Sequence, residues 1–345
     1  MSLSAVSLVA GISLLAPGWQ GFPPQASQSA VLGKPLRAEA DAVSDAVGWS
    51  TLKPSLLMVR TDGVVRGVAG LIDARGLYVV SRYAVRGNRI DAIDYDGQTV
   101  KVSLLKVDEL SDLALIQRDT AVTGSQAFEP ASEIKVGELV YAVLPDGMFR
   151  VELSSSELIG VSSERRRTVP VIRIALEQPE QNYETALFVR GFRFYGGLSS
   201  VQTELQQSAP TIRDKRYQQG FLNQSQFAPG LLTVGYMTSP TLSSRVVRGF
   251  RSPNRVVAHP YLGCICRDSL SGGAELVVVE PGSAAERAGL RVGDVVVRLG
   301  DYSVRNQYEY ARAMFKQVPN TELRIDFFRQ GVRRRATAIV GTLAD

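Results

Sequence analysis

The sequence predicts a mainly β protein: two consecutive antiparallel β-barrels followed by a compact final domain. Three observations carry this expectation. Short β-branched runs recur between turn signals from Leu56 onward, a second set follows from about Val136, and the pattern changes again after Pro253. Short strands at regular spacing mark sandwiches and barrels. The chain has 345 residues, of which 45% are hydrophobic and 21% charged, so a globular protein of more than one domain is expected. With 31 glycines and 16 prolines it is turn-rich and strand-rich rather than a helical bundle.

The first strand group contains SLLMVRT, GVAGLIDARGLYVVS, IDAIDYDGQTVKVSLLKV and DLALIQR. Asp73-Ala74-Arg75-Gly76 and Asp96-Gly97 sit where hairpin turns belong, which makes the strands antiparallel. The second group contains VGELVYAVLP, VELSSSELIGVSS, TVPVIRIALE and FRFYGGLS; a polar, Gln-rich stretch over 199–230 then reads as a long surface insertion. Ser239 can cap a helix whose first turn holds Pro240, and a connecting helix is expected over 239–258. The final domain, 259–342, runs through YLGCICR and AELVVVEPGSAAERAGLRVGDVVVRLG to a helical NQYEYARAMFKQV and the strand pair LRIDFFRQGVRRRATAIV.

At the other end, an uncharged apolar stretch from Leu3 to Ala16 followed by a Pro/Gln/Ser-rich segment to Ala30 resembles an export leader, with 31–52 as a linker. An extracytoplasmic, periplasmic or membrane-associated location is the expectation. No Lys or Arg precedes the apolar run, so an uncleaved anchor or a misassigned start stays open.

The formal net charge of +5 is too mild to imply a polyanion partner, and no nucleic-acid binding is expected. The runs Arg165–Arg167 and Arg333–Arg335 read as solvated hairpin faces. Cys264 and Cys266, one residue apart, would share a strand face and make a poor disulfide. With His259 they would supply only three zinc ligands at unusual spacing, so neither a metal nor another cofactor is expected.

Pro281-Gly282-Ser283-Ala284-Ala285, leading to Ala288-Gly289-Leu290 and Gly293-Asp294, resembles the PDZ domain attached to HtrA/Deg proteases, over Tyr261 to about Gly341. The resemblance implies that Tyr261-Leu262-Gly263-Cys264 is the loop that captures the carboxylate of a peptide terminus. The peptide would add as a strand beside Cys264-Ile265-Cys266. By the same resemblance Tyr310 and Met314 line the groove with Cys264 and Cys266, or are simply core. Room for a medium apolar terminal residue such as Val, Leu or Ile is expected.

Upstream, the segment 53–238 resembles the trypsin-like domain of the same family, a double antiparallel β-barrel. Ser111-Asp112-Leu113-Ala114-Leu115-Ile116 matches the family's "TDLALL" run and puts Asp112 at the triad aspartate. The family's "LTNNHVV" corresponds to Val79–Val85, with Tyr83 at the histidine position, and His259 is the chain's single histidine. Its "INPGNSGGPLF" corresponds to Gln178–Phe188, with Tyr183 at the serine position and Glu184-Thr185 replacing the glycine pair. A neutral imidazole with a pKa of about 6.5 takes a serine proton near neutrality, whereas a phenol titrating at about 10 does not.

The expectation is therefore a catalytically degenerate member, a pseudoprotease. It would hold protein C-termini or extended segments as an adaptor or scaffold, as a homo-oligomer or mixed with an active paralogue. A structural subunit of an envelope complex is the alternative. A hydrolase using Ser199 or Ser200 with Lys101, Lys106 or Lys135 has no motif to support it.

Overall fold

The computed structural model describes residues 48–132, 134–161, 168–176, 182–205 and 231–344. The leader-like segment, most of the linker, the Arg165–Arg167 run and Gln178–Gln181 lie outside the described residues.

A helical turn, α1 (Trp49–Leu52), leads into the first barrel. Its strands are β1 (Leu56–Thr61), β2 (Val64–Asp73), β3 (Leu77–Ser81), β4 (Ile90–Ile93), β5 (Thr99–Asp108) and β6 (Leu113–Arg118). They close in the order β1-β2-β3-β6-β5-β4. Successive side chains point to opposite faces of a strand, and β6 shows the result: Ala114 and Ile116 fill the barrel, while Leu113 and Leu115 face outward into a second core. Burial on both faces explains why LALI is continuously apolar rather than alternating.

After β7 (Glu129–Pro130) the second barrel contains β8 (Leu139–Leu144), β9 (Gly147–Leu153), β10 (Leu158–Val161), β11 (Thr168–Leu176), β12 (Leu187–Arg190), β13 (Arg193–Leu205) and β14 (Leu231–Thr238). The pairing of β11 with β9 closes the ring β11-β14-β13-β12-β8-β9. The strand β13 continues through 199–205, paired with β14, so the expected insertion is shorter at its start than the sequence implied. Val201, Thr203 and Leu205 alternate with Gln202 and Glu204, a strand period that the polar composition masked. Residues 206–230 are not among those described.

The helix α2 (Pro240–Arg251) follows, its N–H at Leu242 donating to the Ser239 Oγ. Leu242, Val246, Val247 and Phe250 press into the core between the barrels. The helix is shorter than the expected 239–258, because Ser252-Pro253 ends it: the residue before proline disfavours the α conformation. Arg251 fastens the C-terminal end of α2, donating from Nε to the Ile72 carbonyl at 2.7 Å and from Nη2 to the Phe128 carbonyl at 2.8 Å.

The final domain has its own core, around Leu276, Leu290, Val296, Ile325 and Phe327. It comprises β15 (Ala258–Tyr261), β16 (Cys264–Asp268), β17 (Ala274–Val279), α3 (Ala284–Arg287), β18 (Val295–Leu299), β19 (Tyr302–Ser303), α4 (Gln307–Phe315), β20 (Glu322–Arg329), β21 (Val332–Ile339) and β22 (Gly341–Ala344). The main sheet runs β16-β17-β18-β20-β21, and β15 pairs with β22. A reciprocal cap starts α3: Glu286 N–H donates to Ser283 Oγ, and the Glu286 carboxylate accepts from Gly282 N–H. Arg333 and Arg335 of the exposed β21 run both bind the Asp326 carboxylate, at 3.1 and 2.7 Å, and hold it below the usual carboxylate range.

Among the described residues, polar contacts at two places and apolar packing join this domain to the barrels. His259 Nε2 lies 2.6 Å from Asp108 Oδ1, with both side chains buried, and Ser111 Oγ donates to the other carboxylate oxygen of Asp108. On the far side Arg245 of α2 donates to the carbonyls of Phe315 and Gln317 at the C-terminal end of α4, at 2.7 and 3.0 Å. Phe315 itself belongs to the core between the barrels. His259→Leu is expected to lower the unfolding free energy by about 2 kcal/mol, the range for a hydrogen bond to a charged group. Urea unfolding of the full chain measures this, and a loss below about 0.5 kcal/mol, the range of neutral surface changes, would show that the pair does not hold the junction.

Candidate functional site

The positions that the resemblance assigns to a triad come from three elements. A single-turn 3-10 helix, Arg82–Val85, follows β3 and is fixed at both ends. Tyr83 N–H donates to Ser81 Oγ, and the hydroxyl of Thr61 donates to the Ala84 carbonyl at 2.6 Å. Asp112 stands at the head of β6 in a left-handed conformation, φ 57°, with its carbonyl accepting from Arg82 N–H. This turns its carboxylate toward the helical turn, where the Tyr83 hydroxyl donates to Oδ1 at 3.4 Å.

Arg82 is the third participant. Its Nε lies 2.6 Å from Asp112 Oδ1, both side chains being nearly buried, and its Nη2 donates to the Tyr83 hydroxyl at 3.2 Å. The guanidinium carbons of Arg82 and Arg86 lie 4.9 and 4.4 Å from the centre of the Tyr83 ring, within cation–π range. The structure thus brings Tyr83 and Asp112 together but gives the carboxylate a guanidinium neighbour. Sequence reasoning passed over Arg82 and Arg86, although cations flanking the histidine position were a visible signal.

Tyr183 is placed differently. Its side chain is 2% exposed and sits in the interior of the second barrel, edge-on to Phe149 with ring centres 6.3 Å apart. The turn it begins is closed by Ala186 N–H donating to the Tyr183 carbonyl at 2.8 Å, and Glu184 N–H donates to Asn182 Oδ1. Gly67 of β2 shows that this turn and the Tyr83 turn converge. A Cβ there would lie 2.8 Å from Ala84 Cβ and 3.0 Å from Thr185 Cβ, so only glycine admits both. The Thr185 hydroxyl donates to the Arg66 carbonyl at 2.8 Å across the two barrels.

The second candidate region is the groove between β16 and α4. The strand β16 is an edge of its sheet and can accept a further strand. The preceding loop is fixed by its carbonyls, Ala285 N–H donating to Leu262 and Glu280 N–H to Gly263, both at 2.8 Å; these bonds use none of the loop's N–H groups. Gly263 has φ 79°, and a Cβ there would fall 2.2 Å from Ser283 Cβ. Tyr261 opens the loop with its hydroxyl donating to the Glu280 carboxylate.

Cys264 and Cys266 are free thiols that pack, half-buried, against the domain core. Burial pushes the Cys264 thiol up to about 11, opposed by its bond to Tyr310, and the Cys266 thiol up to about 12. Tyr310 and Met314 of α4 are both buried, and the Tyr310 hydroxyl lies 2.9 Å from Cys264 Sγ. The four residues expected to share the groove are therefore on the two elements that form it. His259 is turned away from the cysteines toward Asp108, and among the described residues no group of three or more acidic, His or Cys side chains could hold a metal ion.

The PDZ domain family matches residues 275–329. Among curated proteins the chain is 24% identical over 279 residues to "Serine protease Do-like HtrA" of Lactococcus lactis subsp. cremoris (strain MG1363), covering 76% of this chain and 66% of that protein. It is also 24% identical over 270 residues to the protein of the same name from Lactococcus lactis subsp. lactis (strain IL1403), covering 74% and 64%. The chain thus spans about two thirds of the length of these relatives. Among solved structures, "HtrA-type protease AlgW with decapeptide" matches with a TM-score of 0.57 and 15% identity, covering 85% of this chain and 97% of that one. The serine endoprotease from Yersinia pestis matches with a TM-score of 0.55 and 14% identity, covering 85% and 96%. The chain is a homologue of the HtrA-type proteases, with a trypsin-like double β-barrel and a PDZ domain at its C-terminal end.

Proposed function

We propose that this chain is a non-catalytic member of the HtrA-type homologues, a pseudoprotease that holds protein C-termini or extended segments in its PDZ groove and acts as an adaptor or scaffold. One observation carries the reading: Asp112, at the position the resemblance assigns to the triad aspartate, is paired with the guanidinium of Arg82 and the phenol of Tyr83 and with no imidazole. A guanidinium keeps its protons at every physiological pH and cannot serve as a general base. The only histidine in the chain is buried at the domain junction against Asp108. Tyr183, at the serine position, directs its ring into the second barrel.

The PDZ side supports the binding half of the reading. An open edge strand, a loop whose Leu262 and Gly263 carbonyls accept from Ala285 and Glu280, and a protonated apolar wall of thiols provide backbone pairing without a reactive group. The thiolate is the nucleophilic form of cysteine, so thiols held this high are inert near neutrality. A homo-oligomer or a mixed oligomer with an active paralogue, in an extracytoplasmic compartment, completes the proposal by analogy with the family. A structural-subunit role is the second reading, favoured by the double anchoring of the PDZ domain through His259 and Arg245. Ser199 and Ser200 belong to β13 and its pairing with β14 rather than to a nucleophile elbow.

The purified full chain is expected to leave unfolded casein intact over hours; cleavage abolished by Ser199→Ala or Ser200→Ala would replace the adaptor by a hydrolase. Against a C-terminal peptide library with an amidated control for each hit, carboxylate-dependent binding with Kd of about 1–100 μM is expected for a peptide-holding module. No binding by the folded chain would favour the structural subunit. A further outcome concerns alkaline pH. Unfolded cysteines lose their protons near the usual 9.0, while the folded thiols hold them to about 11 and about 12. The unfolded state therefore binds fewer protons above pH 9, and these groups make stability fall from there upward while leaving it flat below. Urea midpoints at pH 8 and pH 10 measure this, and Cys264→Ala combined with Cys266→Ala is expected to flatten the slope.

A further inference from the structure

Tyr310 occupies a particular place in the groove. It lies in the first half of α4, and its ring crosses to the first residue of β16, where the hydroxyl meets Cys264 Sγ at 2.9 Å. Cys264 directly follows the loop residue Gly263, so the hydroxyl end of the ring reaches the space next to the loop. A strand added to the edge of β16 with its end at that loop would direct its last side chain into this space. The ring is 7% exposed and packs with Met314 and Leu262 in the domain core.

Displacing it would be costly. A buried hydroxyl that loses its partner costs about 1–3 kcal/mol, and the core that holds the ring would lose its contacts as well. We infer that Tyr310 is the floor of the terminal pocket and restricts the peptide terminus to a small side chain, alanine or serine, instead of the Val, Leu or Ile that the cysteine wall alone implied. This inference rests on the peptide-holding function proposed above and names the ligand class of that site. The bond to Cys264 makes the restriction firm, because the two walls of the pocket are tied to each other across the space that a larger side chain would need.

The experiment uses the full chain and matched decapeptides that differ only in the last residue, Ala, Ser, Val, Leu or Phe, each with a free carboxylate, read by fluorescence anisotropy. The expected result is that Ala and Ser termini bind at least about tenfold more tightly than Leu and Phe, a difference of roughly 1.4 kcal/mol. Tyr310→Ala is expected to reverse the order in favour of Leu and Phe. Cys264→Ala, which shortens the opposite wall without touching the helix, is the second variant and is expected to admit Val and Leu. A wild-type preference for Leu or Phe, or an unchanged order in the folded variants, overturns the inference while leaving peptide holding intact. Absence of binding for every terminus in the wild type and in both variants overturns peptide holding itself.

Discussion

Strand β6 is buried on both faces, Ala114 and Ile116 inside the first barrel and Leu113 and Leu115 in the core between the barrels. A strand in that position has no freedom of register, because a shift of one residue would exchange its two apolar faces and pull the buried polar residues at its head away from their partners. Ser111 and Asp112 stand at its head and Asp108 ends the neighbouring β5, and each supports a different part of the molecule. Asp108 receives the hydroxyl of Ser111 and faces His259 from the PDZ side. Asp112 receives Arg82 and Tyr83 from the neighbouring turn. The carbonyl of Ser111 accepts from the Thr238 hydroxyl at 3.3 Å, which ties the second barrel and the start of α2 to the same point.

Arg82 shows how a carboxylate can stay in a site whose other residue types differ. Asp112 is 5% exposed, and a buried carboxylate is tolerated only where a cation or several hydrogen-bond donors compensate it. With tyrosine at position 83 the neighbouring residue supplies the cation, and the phenol bridges the two. The left-handed backbone at Asp112 adds a constraint, since few side chains other than Asn and Gly are at ease there. The position is thus defined by packing and charge compensation even apart from any chemistry.

Much of the fold was legible because its signals are local. The hairpin turns at Gly76 and Gly97, the Ser239 cap and the Pro281–Leu290 segment are fixed by residues within one turn of each other, and the structure places elements where these signals stand. The juxtaposition of Tyr83 and Asp112 was legible only through resemblance, since 29 residues separate them. What stayed hidden depends on partners distant in sequence: His259 and Asp108 are 151 residues apart, Arg245 and Phe315 70 apart. No spacing rule links such pairs. The extension of β13 through Leu205 was hidden for another reason, its polar composition outweighing its alternation.

The attachment of α4 has a mechanical consequence. Its last carbonyls are held by Arg245, its Phe315 is sunk among the barrel residues, and its other side lies on the domain core. The facing strand β16 pairs with β17 through a ladder that carries an irregularity between Ile265 and Cys266, and both its ends are tied to α4, Cys264 to the Tyr310 hydroxyl and Asp268 to the Gln307 N–H. The groove therefore has two walls joined to each other at both ends. The hairpin tip is fastened as well, Gly273 N–H donating to the Arg305 carbonyl and Ala274 pairing with Val296, so the give of the groove is confined to the middle of β16, around the exposed Ile265.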